Sequence, residues 1–86
     1  MQFSSAEVQT YLALVHDTNP IHTEIVPGQL VVQRICVEAA VEPIAVRYKN
    51  PIVVDEQITW HDHDHMQIKV IGADEQLKLV IDVGEV

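Results

Sequence analysis

The chain has 86 residues, which is enough for one small domain that would bury only about 64% of its unfolded surface. Hydrophobic residues make up 48% of the sequence and charged residues 21%, a composition that excludes a disordered or collagen-like chain. Thirteen acidic residues against five basic ones give a formal net charge of −8, whereas phosphate recognition requires clustered Lys and Arg. We therefore predict a single globular domain over residues 1–86 with no nucleic-acid partner.

The cellular setting is inferred from the cysteine content, the first residues and the length of the apolar runs. Cys36 is the only cysteine, so no internal disulfide can form. Residues 1–4 lack the basic flank and the apolar core of an export signal. No apolar run approaches the roughly 18 residues of a membrane-spanning helix. These features predict a cytoplasmic protein that does not enter a membrane.

A helix start is encoded near the N-terminus. Ser4 is followed three residues later by Glu7, which is the spacing of a capping box. Phe3 stands where it can pack on Val8 as a hydrophobic staple. Apolar residues recur at helical spacing and stop before Pro20, because the residue before a proline is disfavoured in a helix. We predict a first helix over residues 5–16.

The segment from Gly28 to Val41 is apolar on most sides. A buried helix and a pair of buried strands both fit such a run. Its length, the lack of an internal turn residue and the stop at Pro43 favour a helix despite the β-branched residues. We predict that this segment is a central helix.

After Pro43 apolar and polar residues alternate, which is typical of half-buried strands. The alternation runs through four segments separated by short turns, at residues 44–48, 58–60, 66–70 and 77–83. Consecutive strands with short turns form an antiparallel meander. The pattern predicts an α+β protein in which the apolar helix lies across one face of an antiparallel sheet.

Residues 11–22 read Tyr-Leu-Ala-Leu-Val-His-Asp-Thr-Asn-Pro-Ile-His. This segment resembles the signature of the MaoC-like hydratases, the R-specific enoyl-CoA hydratases, in which an aromatic residue and a helix end precede Gly-Asp-x-Asn-Pro-x-His. His16 stands in place of the glycine, and four residues occupy their places in the pattern: Asp17, Asn19, Pro20 and His22. Residues 25–30 and 46–56 also resemble the family's helix entry and its strand-turn-strand region, so the resemblance covers most of the chain.

The resemblance implies a hot-dog domain, in which an antiparallel sheet wraps around a central apolar helix. It also implies hydration and dehydration of an acyl thioester carried by coenzyme A or a carrier protein. Asp17 and His22 would hold the reacting water, Asn19 would fix the loop, and the backbone amide of Gly28 would bind the thioester oxygen at the helix N-terminus. No cofactor is expected.

The residues of this loop also suggest acid-base chemistry on their own. Asp17 and His22 are close enough to share a water if the chain turns back at Asn19. Hydration of an unsaturated thioester needs a base, an acid and a donor to the carbonyl oxygen; which residue would be acid and which base stays open. The alternative is ordinary turn chemistry, because Asp and Asn hydrogen-bond to nearby backbone and Pro20 stops the helix.

One difference from the family leaves a second function class open. Only Thr23 and Glu24 separate His22 from Ile25, whereas family members carry a longer segment that helps to wall the acyl tunnel. The chain is thus a shortened form. The alternatives to a hydratase are a non-catalytic hot-dog module that binds an acyl chain or serves in assembly, and an acyl-CoA thioesterase.

Two clusters of charged or titratable residues are candidate ligand sites. Arg47 and Lys49 would project together from a strand, either into solvent or toward a coenzyme A phosphate. His61, His63 and His65 would share one face of an extended strand, and a His-x-His pair can ligate zinc. Because zinc also needs a ligand from elsewhere, we predict a solvated rim and no metal.

The predicted central helix bears on the oligomeric state. A short sheet around one apolar helix leaves an unpaired edge and exposed apolar surface, and association covers both. Hot-dog domains similarly pair edge to edge, so we expect a homodimer. On the same helix, Cys36 is expected to be inert because of its apolar neighbours, and Arg34 lies one turn from Glu38 as an i,i+4 pair.

Overall fold

The computed structural model of the protein describes residues 1–16, 24–64 and 66–85. Two helices precede four strands, which form one antiparallel sheet of order β1-β4-β3-β2. This arrangement confirms the predicted α+β class and the meander of the last three strands. The elements are α1 (Ser5–Val15), α2 (Gly28–Ala39), β1 (Val41–Tyr48), β2 (Thr59–His63), β3 (Gln67–Ile71) and β4 (Leu77–Glu85).

Helix α1 begins as its sequence predicts. The Ser4 hydroxyl accepts a hydrogen bond from the Glu7 backbone N–H (3.1 Å), which satisfies one amide that the first helical turn leaves without a partner. Phe3 and Val8 are both fully buried, as a hydrophobic staple requires. The Glu7 carboxylate pairs with Arg34 of α2 (2.7 Å), so the predicted pairing of Arg34 along its own helix is replaced by a link between the two helices.

Helix α2 lies over one face of the sheet. Five of its side chains are buried and join a single core with strand residues that alternate along β3 and β4. The helix ends at Ala39 because Ala40 adopts the left-handed conformation, with φ of 56°. Its amide bonds back to the Val37 carbonyl (3.3 Å). The core residues of these elements are Leu30, Val31, Val32, Ile35, Cys36, Ile68, Val70, Leu79, Ile81 and Val83.

Ala40→Gly is expected to stabilise the protein by about 0.5–1 kcal/mol, because a left-handed residue with a Cβ is strained and glycine is not. Ala39→Gly removes the same methyl group from the last residue of α2, which has a right-handed helical backbone, and is expected to destabilise the protein by a similar amount. Urea unfolding of the two variants measures both effects. A loss of stability in both variants would contradict the explanation.

The strand register decides which strand residues face α2. Val46 pairs with Ile81 and Tyr48 with Leu79, so these four lie on the inner face that α2 covers. Arg47 pairs with Val80 and therefore lies on the outer face. After Pro51 the chain forms an isolated antiparallel bridge, between Ile25 and Val53.

Lys78 is a buried charged residue, only 4% exposed. Its Nζ lies 3.1 Å from the Pro51 carbonyl oxygen, 3.2 Å from Asp74 Oδ2 and 3.3 Å from Glu56 Oε2. The pKa of Asp74 is lowered, chiefly by a hydrogen bond from the Gln76 backbone N–H and further by Lys78. Lys78 thus joins the loop after β1 to the turn between β3 and β4.

The partner carboxylate, Glu56, is also buried and has further donors. It accepts hydrogen bonds from the backbone N–H groups of Val53 (3.1 Å) and Ala73 (3.0 Å). Gly72 passes so close that a Cβ there would overlap Lys78 Cε and Glu56 Oε2. We refer to the buried Lys78 and Glu56 side chains, together with the half-exposed Asp74 beside them, as the buried ion cluster.

Candidate functional site

A cleft of about 340 Å³ lies where the first turn of α2 meets the end of β1. Gly28 contributes the first residue of the helix, and Tyr48 and Lys49 come from the end of β1 and the residue after it. Ile52 and Leu79 line it on other sides. We refer to this hollow as the α2 cleft.

The first turn of α2 borders the α2 cleft through Gly28. Pro27 precedes α2 and no side chain caps the helix, so its first amides are not satisfied by a cap. The N–H groups of Leu30 and Val31 donate to the Pro27 carbonyl oxygen, at 3.1 and 3.4 Å. The amides of Gly28 and Gln29 precede these two in the first turn, where the helix dipole favours an electronegative ligand atom.

The ring of Tyr48 packs directly on Gly28. A Cβ at position 28 would overlap Tyr48 Cε1 and would lie 3.0 Å from Tyr48 Cζ. Gly28 does not have a positive φ, so its lack of a side chain serves this close approach and not an unusual backbone conformation. The phenol oxygen, bonded to Cζ, is therefore held near the first turn of α2.

A second phenol lies close by. The Tyr11 hydroxyl donates to Gln29 Oε1 (3.4 Å), which links α1 to the first turn of α2. The pKa of Tyr48 is raised by burial and by the charge that Tyr11 carries when ionised. A phenol is protonated at neutral pH even at its ordinary pKa of about 10, so the Tyr48 hydroxyl can donate a hydrogen bond.

On the other side of Tyr48, an apolar groove of about 610 Å³ runs between α2 and β1. Its apolar lining comes from one side of α2 and from the inner face of β1. Burial raises the pKa of the Cys36 thiol, as expected for inert packing. We refer to this hollow as the acyl-sized groove; its lining includes Val32, Cys36, Val41, Val46 and Tyr48.

The predicted site residues fall into three groups. Asp17, Asn19 and His22 lie outside the described residues. The structure brings Gly28 and Lys49 together at the α2 cleft. Arg47 lies on the outer face of the sheet, where it pairs with Asp82 (3.4 Å), so it does not join them.

Two polar residues that line these hollows, Tyr48 and Gln29, are not among the site residues predicted from the sequence. The alternation along β1 contains the signal for Tyr48, because it places Tyr48 on the same face as Val46. Its contact with Gly28 depends on how the helix crosses the strand, which the sequence pattern does not contain.

The histidine-rich segment lies at the edge of the sheet. His61 and His63 belong to edge strand β2 and are exposed. His63 Nε2 lies 3.8 Å from the carboxylate of the neighbouring Asp64. The described residues contain no group of three metal-ligating side chains, and His65 lies outside them.

Comparison with known proteins places the chain in no family. No protein-family model matches the sequence, and no curated protein does so either. Among the described residues, no helix has the length and apolar character needed to cross a membrane.

Proposed function

We propose that the protein is a hot-dog domain that acts as an acyl-thioester hydratase or dehydratase. One observation carries the proposal: an apolar groove along α2 and a cleft lined by Gly28, at the start of α2, and by Lys49 share Tyr48 as a lining residue. An acyl thioester has matching parts, namely an apolar chain, a polar carbonyl and a phosphate-bearing carrier. The resemblance of residues 11–22 to the MaoC-like hydratases supplies the reaction.

In this proposal each part of the substrate is assigned to one of the two hollows. The acyl chain lies in the acyl-sized groove, where burial of its methylene groups stabilises binding by about 0.8 kcal/mol each when complete. The thioester carbonyl lies at the first turn of α2, near the amide of Gly28. The carrier's phosphate lies toward Lys49, whose positive charge offsets the net charge of −8 elsewhere.

The reaction uses the loop between the helices. One residue of the pair Asp17 and His22 takes a proton from water as the oxygen attacks the β-carbon. The other residue delivers a proton to the α-carbon, and the negative charge that develops on the thioester oxygen is stabilised by the Gly28 amide. Asn19 holds the loop. Dehydration is the reverse sequence of the same steps.

A second candidate is a non-catalytic acyl-binding or assembly module, and exposed apolar side chains favour it. Val37 on α2 is 74% exposed and Ile44 on β1 is 73% exposed. Among the described strands, β1 lies at an edge of the sheet with β4 as its one neighbour, and unpaired edges favour association. A homodimer that pairs two copies of β1 would cover this surface and is part of the proposal for either function.

The test uses the purified full chain. With crotonyl-CoA, loss of the conjugated enoyl absorbance supports the hydratase, and release of free thiol supports a thioesterase. Calorimetric binding of unreactive butyryl-CoA without either signal supports the acyl-binding module. Absence of binding and turnover contradicts every acyl-thioester function. Light scattering during gel filtration reports the dimer, and a monomer at all concentrations contradicts assembly through β1.

A further inference from the structure

Tyr48 occupies the junction of the two hollows. Of the described residues, it is the one that lines both the acyl-sized groove and the α2 cleft. A ligand with its chain in the groove and its carrier in the cleft must therefore pass Tyr48. The part of an acyl thioester that joins these two portions is the thioester group itself.

The phenol of Tyr48 is available to such a ligand. Tyr48 as a residue is 56% exposed, and one edge of its ring rests on Gly28. No hydrogen-bond partner of its hydroxyl is found in the described ranges. The neighbouring phenol, Tyr11, has its hydroxyl on Gln29 and lines neither hollow.

We propose that Tyr48 is a further substrate-contacting residue of this site, whose hydroxyl donates a hydrogen bond to the thioester carbonyl oxygen. The inference rests on the proposed acyl-thioester function and extends it. Together with the Gly28 amide, the phenol would give the carbonyl oxygen two donors. Two converging donors are the usual arrangement for stabilising an oxygen that becomes negative during the reaction.

The expected effect falls on turnover more than on binding. As the thioester oxygen gains charge in the transition state, the hydrogen bond from Tyr48 strengthens, so its loss lowers kcat more than it raises KM. Removal of a buried oxyanion donor reduces kcat by about 10²- to 10³-fold. Because Tyr48 is half exposed, we expect Tyr48→Phe to reduce kcat by about tenfold, since water partly replaces the phenol.

Infrared spectroscopy of bound butyryl-CoA separates this role from a structural one. We expect the thioester carbonyl stretch to move to lower frequency on binding to the wild-type protein. In Tyr48→Phe, which keeps the ring on Gly28, the shift should be smaller. Tyr11→Phe is the matched control, because it removes a hydroxyl that bonds to Gln29, and it should retain the full shift.

Gly28→Ala tests the same contact without removing the phenol. The new methyl group would overlap the Tyr48 ring, so the ring must move away from the first turn of α2. The backbone conformation of Gly28 suits alanine, and alanine favours the helix, so the fold should be retained. We expect the carbonyl shift and kcat to fall as they do in Tyr48→Phe.

The outcomes separate the proposed acyl-thioester function from the proposed role of Tyr48. If the wild-type protein binds no butyryl-CoA and hydrates no crotonyl-CoA, the proposed function is overturned. If the wild-type protein binds but its carbonyl stretch does not move, the role of Tyr48 is overturned. The same holds if Tyr48→Phe retains both the full shift and the full kcat. Loss of the carbonyl shift in Tyr48→Phe and in Gly28→Ala, with butyryl-CoA binding retained, supports the role of Tyr48.

Discussion

His22→Ala is expected to reduce the rate of crotonyl-CoA hydration by about 10²- to 10⁴-fold, the usual contribution of one general acid-base group. Asp17→Asn should have an effect of similar size, because the reaction needs one proton taken from the water oxygen and one delivered to the α-carbon. If the two residues act as a pair on one water, the double variant should lose little more than either single variant. Steady-state kinetics of the three variants measures these losses.

The control for these variants is His61→Ala. His61 is an exposed histidine on the edge strand β2. His61→Ala therefore tests whether removing a histidine away from the proposed site changes the measured hydration rate. Its hydration rate should match that of the wild-type protein. A His22→Ala variant that retains the wild-type rate would contradict acid-base catalysis by this loop while leaving acyl binding intact.

Lys78→Met is expected to lower the free energy of unfolding by about 3–5 kcal/mol, because it leaves the buried Glu56 carboxylate without its cation. The side chains of Lys78 and Glu56 are only 5% and 8% exposed, so water compensates little. The two backbone amides that donate to Glu56 hold the carboxylate in place. Chemical denaturation monitored by circular dichroism measures the loss.

A double-mutant cycle identifies the cause of that loss. Glu56→Gln removes the charge and keeps one carboxamide oxygen, which can accept from one of the two backbone amides that now donate to separate carboxylate oxygens. Adding Glu56→Gln to Lys78→Met should therefore recover part of the stability, because no unpaired charge remains. Equal losses in Lys78→Met and in the double variant would mean that Lys78 stabilises the protein by packing alone.

Local patterns allowed most of the fold to be predicted. The Ser4 cap and the Phe3 staple lie within five residues of each other in sequence, and they fix the start of α1. The period-two alternation after Pro43 identified the strands, because one face of the sheet is buried. Helix α2 formed despite its β-branched residues, because burial against the sheet outweighs weak helix propensity.

Contacts between distant parts of the chain could not be predicted. Glu7 pairs with Arg34, 27 residues away, although Arg34 has a suitable partner at helical spacing in Glu38. The buried ion cluster joins Lys78 to Glu56 across two turns, and its members look like ordinary surface charges in the sequence. The alternation along β1 identifies Tyr48 only as a strand residue. Its ring contacts Gly28 because α2 crosses β1 at this point.

The position of β4 in the sheet has a consequence for synthesis of the chain. Strand β4 lies between β1 and β3, yet it is made after both. Until residues 77–85 have left the ribosome, β1 has no neighbour and β2 with β3 is an isolated hairpin, which is marginally stable at best. Nascent chains should therefore stay without a sheet until nearly the last described residue, and during that interval the apolar strands depend on chaperones for protection from aggregation.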